Sequence, residues 1–425
     1  MSKEKSANSY LKNFATLFTG NSIGQLFPFL FAPIIARIFS PMQMGLFESF
    51  LTIVSLISII GAARYEVALV LPENEKKSNN LLALTLIIGG IITLLSILIS
   101  IFPQPIHYFF PKNNFEHLLN YIAPMVLLTT LNNILVQWVI RKGAYNYISI
   151  ARIVQSVFQN GLYALLGFWG WGLNGLIVGL LMGNLLSNLV LLLPSWSMFK
   201  FNLVNRADIK NVAVTYKDFP LVNSFHAFTD IVATQFLLFS LLSGNYGATQ
   251  LGLFALMNRY LRAPLGLISG TVSQLYYREA SSLKNNKQSL KALFNKSQGI
   301  ILLFLIPVII VIVGWGPQLF TLYLGNQWTL SGNYARVMLP AVILNFLCST
   351  VSSTPLIFER QKTAYLFSLI GYTMSLSSIV LCAYLKFDFS IMLWCYSIVL
   401  SIYYLALFIW YRIIINKFER DVHTV

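Results

Sequence analysis

The segment ALMNRYLRAPLG, residues 255–266, sets Arg259 and Arg262 three positions apart, with apolar sequence on both sides. On a helix that spacing puts both side chains on one face. A guanidinium keeps its charge at any physiological pH, and its planar fork matches two oxygens of a phosphate at once. The pair therefore describes an anion site, provided its face opens to water. At mid-depth in a bilayer each arginine costs about 2.5–3.5 kcal/mol on insertion scales, so a lipid-facing position is unfavourable.

Other polar residues are spaced to join such a site. His226 and Asp230 stand at i,i+4 in the preceding apolar run. Counted outward from Lys217, Asp230 reaches the depth of Arg259, and His226 that of Arg262. Two readings stand side by side. Asp230 and Arg259 form an ion pair that locks two helices, or the arginines hold an electropositive site in which Arg262 at least stays available to an anion. His226 and Asp230 are also candidates for proton coupling.

Arg152, Gln155 and Gln159, at i, i+3 and i+7, form one stripe near the cytoplasmic mouth. Asn21 and Gln25 are i,i+4 in the first run, beside Gly20 and Gly24; that pattern suits substrate contact or close helix packing. Arg37 and Glu48, at the outer ends of the first two runs, are expected to form an exposed pair. Such a pair adds little stability but could act as a gate. Arg64 and Glu66, at the inner end of the second run, read as a snorkelling anchor on the cytoplasmic side. The three cysteines, Cys348, Cys382 and Cys395, are an odd number inside apolar runs, which argues against a disulfide framework or metal cluster. No GxxxxGK[ST] motif is present, so no P-loop and no cofactor is expected.

These residues must be positioned by membrane helices. Of 425 residues, 56% are hydrophobic and 10% charged, against about 25% charged in soluble domains. Twelve apolar runs are long enough to span a bilayer as helices: about 14–39, 44–63, 81–102, 119–139, 147–169, 172–193, 218–242, 249–276, 298–323, 334–357, 364–385 and 389–412. They are too long and too uniformly apolar for barrel strands. The first exceeds the 7–15 residues of a signal core and has no cleavage site. Trp169, Trp171, Trp315, Trp328 and Trp410 lie near run ends, as an interfacial belt would.

The net charge of +15 reflects positive cytoplasmic loops rather than nucleic-acid binding. With both termini inside, 22 of the 29 Lys and Arg residues fall in inner segments. The inner segments 194–217 and 277–297 suit amphipathic helices on an anionic leaflet or solvated linkers.

The chain also repeats. MQMGLFESF (42–50) parallels TQLGLFALM (249–257), FPQPI (102–106) parallels GPQLF (316–320), and RKGAYNYISI (141–150) parallels RQKTAYLFSLI (360–370). The shared order predicts two halves, 1–200 and 201–425. The expected fold is an all-α integral membrane protein with 12 transmembrane helices, in two six-helix bundles with pseudo-two-fold symmetry around a central cavity. At the repeat offset, Arg259 and Arg262 correspond to Thr52 and Ser55, so the architecture does not itself require the arginines.

ARIFSPMQMGLFESF (36–50), RYEVALVLPENEKKSNNLL (64–82) and YKDFPLVNSF (216–225) resemble the polysaccharide-biosynthesis exporters. These are the flippases for O-antigen and related lipid-linked oligosaccharides, in the superfamily of the multidrug extruders and the lipid II flippase. The resemblance covers all twelve runs. It implies a flippase, not an enzyme, moving an undecaprenyl-diphosphate-linked oligosaccharide to the outer leaflet of a bacterial inner membrane by alternating access. On that reading Arg259 and Arg262 take the diphosphate, Arg152 attracts it from the cytoplasm, and Asn21, Gln25, Gln155 and Gln159 meet sugar hydroxyls. Membrane lipid is the surrounding partner; a glycan polymerase and a chain-length regulator are further partners. Two alternatives remain. A cation-coupled multidrug antiporter of the same architecture would favour cavity acids, of which Asp230 is the one found against two arginines. A membrane glycan polymerase would carry a large charged outer loop, whereas the longest here, about 103–118, has only Lys112, His107, His117 and Glu116 as titratable residues besides Tyr108.

Overall fold

The structure, a computed structural model, describes residue 24 and residues 26–110 and 116–423. Among these the ordered elements are helices, and the chain packs as two compact units, residues 1–249 and 250–425.

In the first unit, α1 (Leu26–Ile38) leads to Ser40. The Ser40 hydroxyl accepts from the Gln43 amide, and the Ser40 amide donates to Gln43 Oε1 at 2.9 Å. With Pro41 in the first turn, this capping box starts α2 (Pro41–Ser58). The sequence SPMQ is thus a helix-start device. After α2 the backbone turns sharply: Ala63 and Arg64 hold φ of 48° and 59°, a left-handed conformation unfavourable for side chains with a Cβ. The short α3 (Tyr65–Ala68) follows, then α4 (Glu75–Ile101), capped by Asn74, whose side chain accepts from the Lys76 amide.

The segments α5 (Gln104–Phe109) and α6 (Glu116–Leu119) lead to α7 (Ile122–Arg141), α8 (Tyr145–Phe168) and α9 (Gly172–Met198). Helices α8 and α9 form the most extensive pair in the molecule. A glycine stripe makes this possible. A Cβ on Gly179 would stand 2.7 Å from the Tyr163 ring, and one on Gly183 2.7 Å from Gln159 Cβ. Small residues let membrane helices approach closely where there is no hydrophobic driving force between them.

The linker beyond α9 contains a ten-residue helix, α10 (Arg206–Thr215). Buried asparagines at the start of α4 hold it. Asn79 Oδ1 accepts from the Lys200 amide; Asn80 Oδ1 accepts from the Asn205 amide, and its Nδ2 donates to the Leu203 carbonyl, at 2.8–2.9 Å. The Tyr65 hydroxyl donates to the Ala213 carbonyl, and Lys76 pairs with Asp208 at 2.7 Å. Trp138, Leu69, Leu81 and Val212 pack beneath these bonds. The seventh apolar run is α11 (Ser224–Ile231) and α12 (Leu237–Tyr246), with π-helical turns at Phe219–Asn223 and Val232–Phe236. It packs on α2 of the first unit. Packing therefore divides the chain after residue 249, whereas the sequence repeat divides it near residue 200.

The second unit holds α13 (Ala248–Asn285), α14 (Lys291–Leu324), α15 (Thr329–Thr350), α16 (Thr354–Ile357), α17 (Gln361–Tyr384) and α18 (Phe389–His423). Helix α14 kinks at Trp315, φ −126° and ψ 15°, just before Pro317, which has no N–H to donate. Arg336 of α15 takes up exposed carbonyls there, donating to Ile312 at 3.2 Å and Gly314 at 2.9 Å. A Cβ on Gly332 would lie 2.5 Å from Pro317 Cα, so α14 and α15 touch backbone to backbone. Glu419 of α18 accepts from the Leu290 and Lys291 amides at 2.7 and 3.0 Å, capping α14. The inner segment 277–297 forms no separate amphipathic helix, because α13 runs on to Asn285 and α14 begins at Lys291.

Among the described residues nine helices are long and apolar enough to cross a membrane, and they coincide with nine of the twelve runs. The chain is an all-α, multi-pass membrane protein. The other three runs are the first, whose described apolar helix is Leu26–Ile38, and those forming α8 and α13. Helices α8 and α13 are 24 and 38 residues long. They carry the Arg152 stripe and the arginine pair, and those polar residues dilute their apolar character. Trp169, Trp171 and Trp315 are exposed, as belt residues would be, but Trp328 is fully buried between α14 and α15. It is a core residue rather than an interfacial anchor. Cys348 and Cys382 are buried, and all three cysteines are free thiols.

Candidate functional site

In the first unit, α8 carries a polar stripe, whose Gln159 abuts Gly183 of α9. Arg152, Gln155, Gln159 and Asn160 line a cavity of about 330 Å³, together with Gly24 and Ser156. The predicted stripe therefore comes together. Gly24 lies against α8: its carbonyl accepts from the Ser156 hydroxyl at 2.6 Å, and an added Cβ would stand 3.6 Å from the Arg152 carbonyl oxygen. Asn160 turns back to the Ser156 carbonyl at 2.7 Å. The amides of Gln155 and Gln159 make no side-chain hydrogen bond with any described residue. A primary amide has four hydrogen-bonding positions, and inside a bilayer they need water or a ligand. Asn21 and Gln25 lie outside the described residues.

In the second unit, Arg262 is half-buried and donates from Nη1 to Asn345 Oδ1 at 3.1 Å. Tyr404 of α18 interacts with both side chains. The Arg262 Nε is buried without a hydrogen-bond partner, and no acid pairs with Arg262 among the described residues. Neutral groups thus orient the guanidinium without cancelling its charge. Arg259, one turn earlier, is exposed. The two arginines share a helix but have different surroundings.

His226 and Asp230 are exposed on α11 between the two π-helical turns. π-Turns are rare and recur at functional positions. Asp230 and Arg259 belong to different units, and their pairing stands as a proposal. Arg37 is exposed and donates to the Pro33 carbonyl at 3.0 Å, while Glu48 is half-buried.

A further expectation is overturned at the end of the second run. Arg64 and Glu66 are not a snorkelling surface anchor. Glu66 is 6% exposed, 3.6 Å from Arg64 Nη1, and lines a second polar cavity. Burial raises the Glu66 carboxyl above the ordinary carboxylate range, more than its backbone hydrogen bond and Arg64 lower it. The left-handed turn at Ala63 and Arg64 carries the chain away from the α2 direction and places α3 inside the bundle; nothing local in the sequence marks that turn. Sequence reasoning also missed Asn345, Asn132 and Asn160. The available signal was the presence of amides inside apolar runs, where each needs a partner.

Solved structures with the same fold include a multidrug resistance MATE family transporter of the MOP superfamily, in an inward-facing conformation. It has 13% identity and a TM-score of 0.70, covering 95% of this chain and 99% of its own. The lipid II flippase MurJ, in an inward closed conformation, is 16% identical with a TM-score of 0.74, covering 97% and 91%. A MOP superfamily transporter from Pyrococcus furiosus, described as having a binding pocket of reverse polarity, is 13% identical with a TM-score of 0.53, covering 97% and 96%. No curated protein matches the chain at a significant level. The family profile described as "Polysaccharide biosynthesis protein" matches residues 34–333, well over half of the sequence. That match places the sequence: the chain belongs to the polysaccharide biosynthesis protein family.

Proposed function

We propose that the protein is a flippase that carries an undecaprenyl-diphosphate-linked oligosaccharide, of the O-antigen or a similar surface glycan, across a bacterial inner membrane by alternating access. The observation that carries this reading is Arg262. A membrane helix retains a cation that no described acid neutralises and that a neutral amide orients. Such a group is costly unless it serves an anion. Family membership supports a glycan cargo, and the fold supports transport.

On this reading Arg262, with Arg259, takes the diphosphate. Arg152 draws it in, and Asn21, Gln25, Gln155 and Gln159 contact sugars. The polyprenyl tail stays in lipid. Asp230 and His226 are candidates for coupling, and Arg37 with Glu48 for a gate. Both termini are cytoplasmic, the six-plus-six repeat rocks about a midplane site, and a glycan polymerase and chain-length regulator act downstream. Cationic drugs are a poorer cargo for two guanidiniums.

The test is surface glycan display in a host lacking its own copy of the gene. Arg262→Ala should abolish display at unchanged membrane abundance, and Arg262→Lys should restore it in part, because an ammonium supplies charge without the bidentate fork. Normal display with Arg262→Ala would end the reading.

A further inference from the structure

The first unit contains a second polar cavity, of about 430 Å³, that shares Arg152 and Gln155 with the first. Its walls come from the α2–α3 turn and from α7, α8 and α9. The volume falls within the range of about 300–1,000 Å³ typical of small-molecule sites. Besides Arg152, its distinctive residues are Arg64, Glu66, Asn132, Asn133 and Gln137.

Their chemistry narrows the ligand. Glu66 is buried, with Oε2 unbonded, and Arg64 Nε is likewise buried and unbonded. Asn133 and Gln137, i,i+4 on α7, make no side-chain hydrogen bond with any described residue. Asn132 is held in place, donating to Ser187 Oγ at 3.0 Å and Asn188 Oδ1 at 2.9 Å. The cavity thus offers a carboxylate that accepts, a guanidinium that donates and amides that do both. Buried polar groups are normally satisfied, so these call for a ligand or waters rich in both donors and acceptors.

A metal cation fits poorly. The carboxylate has a guanidinium 3.6 Å away, and no cluster of three His, Cys, Asp or Glu occurs among the described residues. A phosphate fits less well here than at Arg262, because Glu66 offsets the charge of Arg64. An apolar molecule would leave Glu66 Oε2, Arg64 Nε and the amides of Asn133 and Gln137 unsatisfied. A sugar fits, since each hydroxyl donates once and accepts twice, and neighbouring hydroxyls match the paired atoms of amides and carboxylates.

We infer that this cavity is a glycan subsite, in which sugar hydroxyls of the cargo bond to Glu66, Asn133 and Gln137. The inference rests on the proposed transport of a lipid-linked oligosaccharide. It separates the labour within the protein: the cavity reads the sugar, and Arg262 holds the diphosphate. The shared wall at Arg152 and Gln155 lets one glycan extend into both cavities. The basic-loop pattern puts the α2–α3 turn at the cytoplasmic end, where the glycan is presented.

The experiment places a thiol in the cavity. Cys348, Cys382 and Cys395 are replaced by alanine, and Asn133→Cys or, separately, Gln137→Cys is added to the full chain. Maleimide labelling in detergent is timed with two probes: the undecaprenyl-diphosphate-linked repeat unit extracted from the glycan-producing host, and undecaprenyl diphosphate without sugar. At a probe concentration about ten times its Kd, occupancy should slow labelling about tenfold. The inference expects this from the glycan-bearing lipid and no slowing from bare undecaprenyl diphosphate. Equal protection by both would overturn it in favour of a phosphate site. Thermal stabilisation of the wild-type chain by the glycan lipid, with labelling unchanged at both positions, would overturn the subsite and leave the flippase reading standing. Absence of any stabilisation of the wild type by either lipid would overturn both.

Discussion

Arg262 Nη1 donates to Asn345 Oδ1 across 3.1 Å, joining α13 to α15 through a charged donor and a neutral acceptor. A carboxylate at Asn345 would bond at least as well but would neutralise the cation. The native amide therefore orients the guanidinium without neutralising it.

That distinction yields a prediction. Asn345→Asp should keep or raise thermal stability, because the charge-assisted bond becomes an ion pair, yet lower glycan display by about tenfold or more. Asn345→Leu should lower stability by about 1–3 kcal/mol, the cost of leaving a buried donor unpaired. Membrane abundance, melting temperature and display separate the two effects. Full display with Asn345→Asp would show that the free charge of Arg262 is not used.

The α8–α9 contact makes a packing prediction. Gly183→Ala would force its Cβ to within 2.7 Å of Gln159 Cβ and 3.1 Å of the Gln155 carbonyl oxygen. Backbone cannot yield as a side-chain tip does, so the loss should be about 1–3 kcal/mol. Gly161→Ala on α8 meets nothing within 4 Å and should be neutral or mildly stabilising, as a helix gains about 0.8–1 kcal/mol from that exchange. Denaturation of both variants in detergent checks the contrast.

Glu66 gives a pH-dependent prediction. Its carboxyl is raised in the folded protein, so its stabilising contribution is present at acid pH and is lost as pH rises through the folded value. Glu66→Gln removes that loss. The variant should melt higher than wild type near neutral pH, with the difference shrinking on acidification toward the ordinary carboxylate range. A difference that grows on acidification would mean that Arg64 outweighs burial.

The linker clamp makes a fourth prediction. Asn80→Ala removes bonds to the Leu203 carbonyl and the Asn205 amide from a fully buried side chain. Each group left without a partner costs about 1–3 kcal/mol. Trypsin should then cut sooner at Arg206 or Lys210, since the clamp holds α10 in place. Unchanged cleavage would show that the Tyr65 bond and the Lys76–Asp208 pair hold the linker alone.

Much of the molecule was legible in the sequence because the bilayer enforces a simple code. Where backbone polar groups cannot reach water, an apolar run must be helical, so run length is enough to predict where the membrane helices lie, and nine of the twelve runs coincide with such helices among the described residues. The Arg152, Gln155 and Gln159 stripe was equally readable, because helical spacing places its residues on one face, and they do line one cavity. SPMQ was readable in principle as a capping box.

Tertiary structure decided what each polar residue faces. Glu66 looked like a surface anchor because it stands two residues after Arg64 at the end of an apolar run; two left-handed residues turn it inward instead. Trp328 looked interfacial by position and is core by packing. Asn345 lies 83 residues from Arg262, and no local pattern joins them. Composition and periodicity act along the chain and determine which segments enter the membrane. Partner choice depends on side chains brought together from distant segments, and that is settled only when the helices pack.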